Sequence, residues 1–416
     1  MLATSPKRPE DFKFASPEVN ACPYPFYAAA RSECPVYEIP GQKNTYLVSR
    51  YEDVQYAANT PELFSSHRPA FGAGDPEMEA IAEEGYPMVP AIVTNDPPEH
   101  TRFKRLVNRP FTLRSVKRQE PAMADRVDKL IDSFIDDRSV ELMDQFAKPF
   151  PTHVIGDFLG VPEEDQKRYF QRWADDIADS VSLQITRERA LECKRSLVEM
   201  QKYFAQLIEE RKLNPGDDLI SDMVTARSED DNPLDVPEIL ELIRNFVAGG
   251  VESTASLIGS AMYHLLLNPQ QLDSVYNDHS LIPQMLEEAL RLEAPVQWNP
   301  RLIEREDVSL RSVQLPQNSR VMLGWAAANH DPEAFGDDAD EFNIFRKDPH
   351  KHLSLGSGIH TCLGATLARS EGRIAFERLF TRLRDIKLAV PADEVTYVGA
   401  FTRRLDRLPL EFDIAA

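Results

Sequence analysis

Apolar residues recur every third or fourth position along most of this chain, the spacing that lines one face of a helix. The pattern predicts helices over 115–135, 163–181, 187–213, 236–267, 269–277 and 282–292, and a last one over 363–383. Two stretches alternate instead. Residues 36–49 set two β-prone runs around Pro40-Gly41-Gln42, a hairpin signal, and 308–323 reads as short strands around Pro316. Pro97, Pro98, Pro110, Pro162, Pro215, Pro233 and Pro295 mark breaks between helices. No repeat, low-complexity linker or boundary signal divides the chain. The expectation is a single large, helix-rich domain over 1–416, mainly α with small β-sheets.

Charge and cysteine content narrow the function classes. With 68 acidic against 47 basic residues the net charge is −21, which argues against a broad nucleic-acid surface. The most apolar long stretch, 242–267, carries Arg244, Glu252 and His264, so it reads as a helix through a protein core and not as a membrane span. The N-terminus shows no apolar leader. Cys22, Cys34, Cys193 and Cys362 form no CxxC pair and are too sparse for a disulfide scaffold. A cytoplasmic protein with reduced thiols, bound to no membrane, is the expectation.

The chemistry concentrates at His352–Gly364, where Gly356, Gly358 and Gly364 surround Cys362 just before a helical run. Glycine permits tight turns and close approach to a flat group. A helix N-terminus stabilises a thiolate. No second cysteine or histidine stands at zinc spacing. From these residues alone two readings stay open, a plain buried cysteine and an axial ligand of haem iron. A second segment sets Gly249-Gly250-Val251-Glu252-Ser253-Thr254 inside an apolar helix. A glycine pair there costs about 1 kcal/mol per residue in propensity. An acid and two hydroxyls cost desolvation unless paired. Ser253 can donate to the carbonyl of Gly249 four residues back, which bends a helix. A third, Glu288-Ala-Leu-Arg291, pairs a carboxylate and a guanidinium on one helix face. The same spacing at Glu99–Arg102, Glu192–Arg195 and Glu241–Arg244 reads as solvated helix pairs. A fourth, Asp96 to Arg105, holds His100, Lys104 and Arg105, which suit carboxylate partners.

In their order along the chain, 96–105, 249–254, 288–291 and 352–364, the four segments resemble the motifs of the cytochrome P450 family, over nearly the whole chain. Residues 355–364 resemble the haem-ligand loop F-G-x-G-x-H-x-C-x-G, with Leu355 in the phenylalanine position. The resemblance implies the P450 fold, haem b (Fe-protoporphyrin IX) and Cys362 as its iron ligand. It implies His100, Lys104, Arg301 and His360 as haem contacts, Lys104 standing where the family has arginine. The segment at 249–254 resembles [AG]-G-x-[DE]-T-[TS]. It implies that Glu252, Ser253 (in the usual threonine position) and Thr254 deliver protons to dioxygen. Glu288 and Arg291 take a structural role. Val93, Asn245, Ala248, Gly249, Val296 and Phe401 fall where family pockets are lined, together with Ala91 and Gln297. These mostly apolar positions favour a small hydrophobic substrate.

The implied activity is that of a monooxygenase, with electrons from NAD(P)H relayed through a ferredoxin reductase and an acidic ferredoxin. Seven basic residues and no acid fall between Thr101 and Arg118. They include Arg109 and Arg114, on what the resemblance makes the thiolate side of the haem, and would steer the ferredoxin. A monomer is expected. A peroxide-using haem-thiolate enzyme and a non-catalytic haem sensor or carrier are the alternatives.

Overall fold

The computed structural model describes residues 8–67, 75–180, 185–227 and 232–415. It divides into two compact units, each assembled from separated stretches of chain. The first comprises Met1–Ser66, Ser256–Cys362 and Ile386–Leu410; the second comprises His67–Ala255, Leu363–Asp385 and Glu411–Ala416.

The first unit is organised around a four-stranded sheet. Val36–Glu38 pairs antiparallel with Thr45–Val48, which closes the hairpin expected over 36–49. Thr45–Val48 then runs parallel to Arg320–Leu323, and that strand pairs antiparallel with Asn299–Leu302. Alternation along the inner strands feeds two cores, since successive side chains leave on opposite faces. Tyr46, Val48, Val321 and Leu323 join Val54, Phe64 and Trp325. Leu47 and Met322 join Phe26, Tyr37 and Trp298 on the other side. Arg301 stands opposite Val321 in the register and is 5% exposed. The expected strands at 308–323 are Val308–Leu310, Val313–Leu315 and Arg320–Leu323.

The second unit is helical. Leu113–Asp132 packs along Ala365–Arg382, and the 27-residue helix Arg187–Leu213 packs on Gln171–Ser180, Leu219–Thr225 and Pro76–Glu83. The helices expected over 187–213, 269–277 and 282–292 occupy those bounds. That over 163–181 is helical from Glu163 to Ser180, with a π-helical turn over Gln166–Phe170 leading into Gln171–Ser180; residue 181 lies outside the described residues. The one expected over 236–267 is interrupted: Val236–Gly250 and Glu252–Leu267 meet at Val251. Among the described residues no helix is long and apolar enough to cross a membrane.

Candidate active site

In the first unit, Cys362 is an exposed thiol at the end of a loop held at several points. Its backbone N–H donates to the Leu355 carbonyl at 2.8 Å, so the position occupied by leucine contributes through its main chain. Gly358 has φ +70°, and a Cβ there would lie 2.8 Å from Asn59 Oδ1 and 2.9 Å from the Ala58 carbonyl; only glycine fits. Asn59 Nδ2 also donates to Ser357 Oγ at 2.8 Å. His360 Nε2 lies 2.8 Å from Ser66 Oγ. Arg301 Nη1 donates to the Pro300 carbonyl at 3.0 Å.

The Glu288–Arg291 pair supports this loop from below. Both side chains are fully buried, and the guanidinium donates twice to the carboxylate at 2.8 Å. Arg346 Nε donates to the same carboxylate at 3.0 Å, and Asn343 N–H adds a further bond at 3.0 Å. Two cations and a backbone donor satisfy one buried acid, the condition under which such a group is tolerated. The remaining donors of Arg291 reach the carbonyls of Asn329, Ala339 and Glu341. Asn329 passes the order on: its Oδ1 accepts from Leu353 N–H and its Nδ2 donates to Ser354 Oγ, both at 2.7 Å. Ser354 Oγ in turn donates to the Leu290 carbonyl at 2.5 Å. The roles of Asn59, Asn329 and Ser354 were not expected from the sequence. Their partners lie far away along the chain, and no local motif announces them.

In the second unit, the helix Val236–Gly250 starts from a reciprocal cap. Asp235 Oδ1 accepts from Glu238 N–H at 2.8 Å and Glu238 Oε2 accepts from Asp235 N–H at 2.9 Å. Arg102 grips the same Glu238 carboxylate at 2.7 and 3.0 Å, which ties Glu99–Val107 to the helix start. His100 is 3% exposed, Lys104 on the same helix face is half-buried, and Arg105 is exposed.

At the other end the helix breaks as the glycine pair predicts. Ser253 Oγ donates to the Gly249 carbonyl at 2.5 Å, and Val251 N–H reaches the Val247 carbonyl only at 3.4 Å. The two glycines differ in purpose. A Cβ on Gly250 would lie 2.5 Å from Ile155 Cδ1, whereas one on Gly249 would meet nothing within 4 Å. Glu252 and Thr254 are buried beside the break, 4% and 2% exposed, and Ser253 is half-buried.

Several expectations change in detail. Glu241 and Arg244 do form an ion pair, but Glu241 is buried and not solvated. The Gln297 side chain is buried, accepting from Tyr27 Oη at 3.2 Å and donating to the Ala294 carbonyl at 2.7 Å. Ala91 is fully buried and Val93 largely exposed. Asn245, Ala248, Val296 and Phe401 are half-buried, and Gly249 is exposed. Of the seven basic residues at 101–118, Arg102 is committed to Glu238, while Arg109 and Arg118 have Asp222 and Asp217 at 3.8 and 3.4 Å. Arg114 and Lys117 are exposed.

Residues 35–385 match the family model described as Cytochrome P450. The chain is 34% identical over 399 residues to a 6-deoxyerythronolide B hydroxylase of Saccharopolyspora erythraea, covering 94% of this chain and 96% of the relative. It is 34% identical over 390 residues to a vitamin D(3) 25-hydroxylase of Pseudonocardia autotrophica, covering 93% of each. Among solved structures, a P450 from Bacillus megaterium in complex with testosterone superimposes with a TM-score of 0.83 at 29% identity, covering 95% of this chain and 97% of that one.

Proposed function

The chain belongs to the cytochrome P450 family and is a monooxygenase, and on that premise we propose that it inserts one atom of dioxygen into a small or medium hydrophobic organic molecule. Residues 1–416 then act as one haem domain. Electrons come from NAD(P)H through a ferredoxin reductase and an acidic ferredoxin. The molecules named for the relatives, 6-deoxyerythronolide B, vitamin D(3) and a bound testosterone, support a bulky hydrophobic scaffold over a small polar one.

The family binds haem and uses dioxygen, and the donor set on this chain suits that group. The observation that carries the reading is the exposed Cys362 thiol on a loop fixed by the Leu355, Gly358 and Ser354 contacts. A thiolate there is the proposed iron ligand, and His100, Lys104, Arg301 and His360 are the proposed propionate contacts. The haem supplies the binding and reduction of dioxygen. The chain's own residues supply protons and position. Ser253 points its hydroxyl proton at the Gly249 carbonyl, so its oxygen lone pairs stay turned outward as acceptors. Glu252 holds the proton to be moved, and Ser253 Oγ or Thr254 Oγ1 passes it on.

An isotope experiment tests the reading. A panel of macrolactone, secosteroid and steroid substrates is incubated under ¹⁸O₂ with NADPH, a ferredoxin and its reductase. The expected product carries one ¹⁸O atom and forms only with the electron donor. Product formed only on adding peroxide would establish the peroxide-using alternative. Haem binding with no product under either condition would establish a carrier.

A further inference from the structure

The helix Ile282–Leu292 carries two adjacent acids, Glu287 and Glu288. Successive positions point about 100° apart around a helix, so the two serve different neighbours. Glu288 belongs to Arg291 and Arg346. Glu287 faces the segment that leads into the cysteine loop: its Oε2 lies 3.3 Å from His352 Nε2. Both side chains are buried, the imidazole almost completely. Neither takes part in the proposed haem contacts or proton delivery.

The other ring nitrogen settles where the imidazole keeps its proton. His352 Nδ1 accepts from Ser354 N–H at 3.1 Å. A neutral imidazole accepts at one nitrogen and carries its proton on the other, so the lone pair is on Nδ1 and the proton on Nε2. That N–H completes no hydrogen bond among the described residues. Charge favours it instead, because a carboxylate at 3.3 Å attracts an N–H dipole and repels a lone pair. Glu287 thereby selects the tautomer that Ser354 requires. A proton on Nδ1 would set two donors against each other and leave the backbone N–H without its acceptor. Ser354 is a sensitive place for such a loss. Its Oγ is pinned to Asn329 Nδ2 and the Leu290 carbonyl, and the carbonyl of the next residue, Leu355, accepts from Cys362 N–H.

We infer that His352 is a positioning residue for the Cys362 loop, and that the Glu287 charge holds its imidazole in the Nε2–H tautomer. The inference rests on the reading of Cys362 as the iron ligand and deepens it, since it names what keeps the ligand loop in place.

The test follows the ligation state of the haem-loaded full-length protein. Total haem is assayed as its pyridine complex, and the decay of the red-shifted Soret band of the reduced carbon monoxide complex is timed. His352→Leu fills the space without an acceptor. It should keep its haem and lose that band at least about tenfold faster than the wild type, the weight of one hydrogen bond. His352→Asn restores an acceptor at the δ position and should stay within about twofold of the wild type. The amide of Glu287→Gln can donate to Nε2 and stabilise the wrong tautomer, so this change alone should speed the decay about threefold or more. Added to His352→Asn, which has no tautomer to select, it should change nothing. A band as durable in His352→Leu as in the wild type would overturn the inference. So would an asparagine variant as short-lived as the leucine one, or an equal effect of Glu287→Gln in both backgrounds; each would leave the thiolate assignment standing. Should His352→Leu fail to hold haem, the two Glu287→Gln measurements decide. Absence of the red-shifted band from the wild type would overturn the thiolate reading, and the inference with it.

Discussion

Ser253 stands where the family pattern has threonine, and its hydroxyl is bonded to the Gly249 carbonyl at 2.5 Å. If that hydroxyl and Glu252 move protons, Ser253→Ala should leave haem content and substrate affinity unchanged. Product formed per NADPH consumed should fall by at least about tenfold, with peroxide as the by-product, since general acid–base groups contribute about 10²–10⁴-fold. Ser253→Thr should restore coupling; unchanged coupling in the alanine variant would move the role to Thr254. Two other buried acids show how far surroundings decide ionisation. Burial alone would raise Glu293, but the His264 imidazole, its Nε2 3.4 Å from Oε1, and the charge of Arg403 hold it down to about 2. Burial pushes Glu371 well above the usual carboxyl range, and its Oε2 has no hydrogen-bond partner among the described residues. The signs therefore oppose. Glu293 stabilises the fold above the ordinary carboxyl range, and that contribution disappears as pH falls through about 2. Glu371 favours the fold at low pH and weakens it as pH rises above about 4.5, where only the unfolded chain ionises. Thermal melts against pH should show Glu371→Gln gaining on the order of 1 kcal/mol at pH 7. Glu293→Gln, which strands buried Arg403, should lose about 3–5 kcal/mol there.

The glycine-broken helix is the element on which the proposed proton delivery depends, and its two glycines make separable predictions. Gly250→Ala drives a Cβ into Ile155 and should cost about 1–3 kcal/mol as an overpacked site. Gly249→Ala meets nothing, so it should be neutral or stabilising by up to about 1 kcal/mol. Thermal unfolding of both variants checks this; equal losses would mean the pair serves one packing role. The break itself was legible in the sequence, because a Gly-Gly with a serine four residues on is a local signal. So were the long periodic helices and the hairpin at 36–49, whose apolar spacing or turn residues lie within a few positions. The loop before Cys362 was legible as a motif, but its support was not. Asn59 against Ser357 and Asn329 against Ser354 join residues from distant stretches, and nothing near either asparagine in the chain predicts its partner. For the same reason Arg102 read as part of a basic stripe, although it closes on Glu238 more than a hundred residues away.

At the scale of the molecule, an acidic chain of net charge −21 carries a stretch, 101–118, with seven basic residues and no acid. Folding tempers that stretch, since Arg102 turns to Glu238 and Asp217 and Asp222 approach Arg118 and Arg109. Arg109 nonetheless keeps 84% of its side chain exposed, with Arg114 and Lys117 also exposed. Local positive charge on an acidic protein steers an acidic partner and raises its on-rate. Arg109→Glu should therefore slow reduction by ferredoxin at least about tenfold at low salt and far less at 1 M salt, where the Debye length is about 3 Å. Stopped-flow reduction rates that ignore both the substitution and ionic strength would indicate a partner held by apolar contacts. The most direct test of the whole account is the absorption spectrum of the reduced, carbon monoxide-bound protein. The wild type should show the red-shifted Soret band of a thiolate-ligated haem, and Cys362→His should bind haem and lose that band. A band that survives the substitution would place the iron ligand elsewhere and contradict the account.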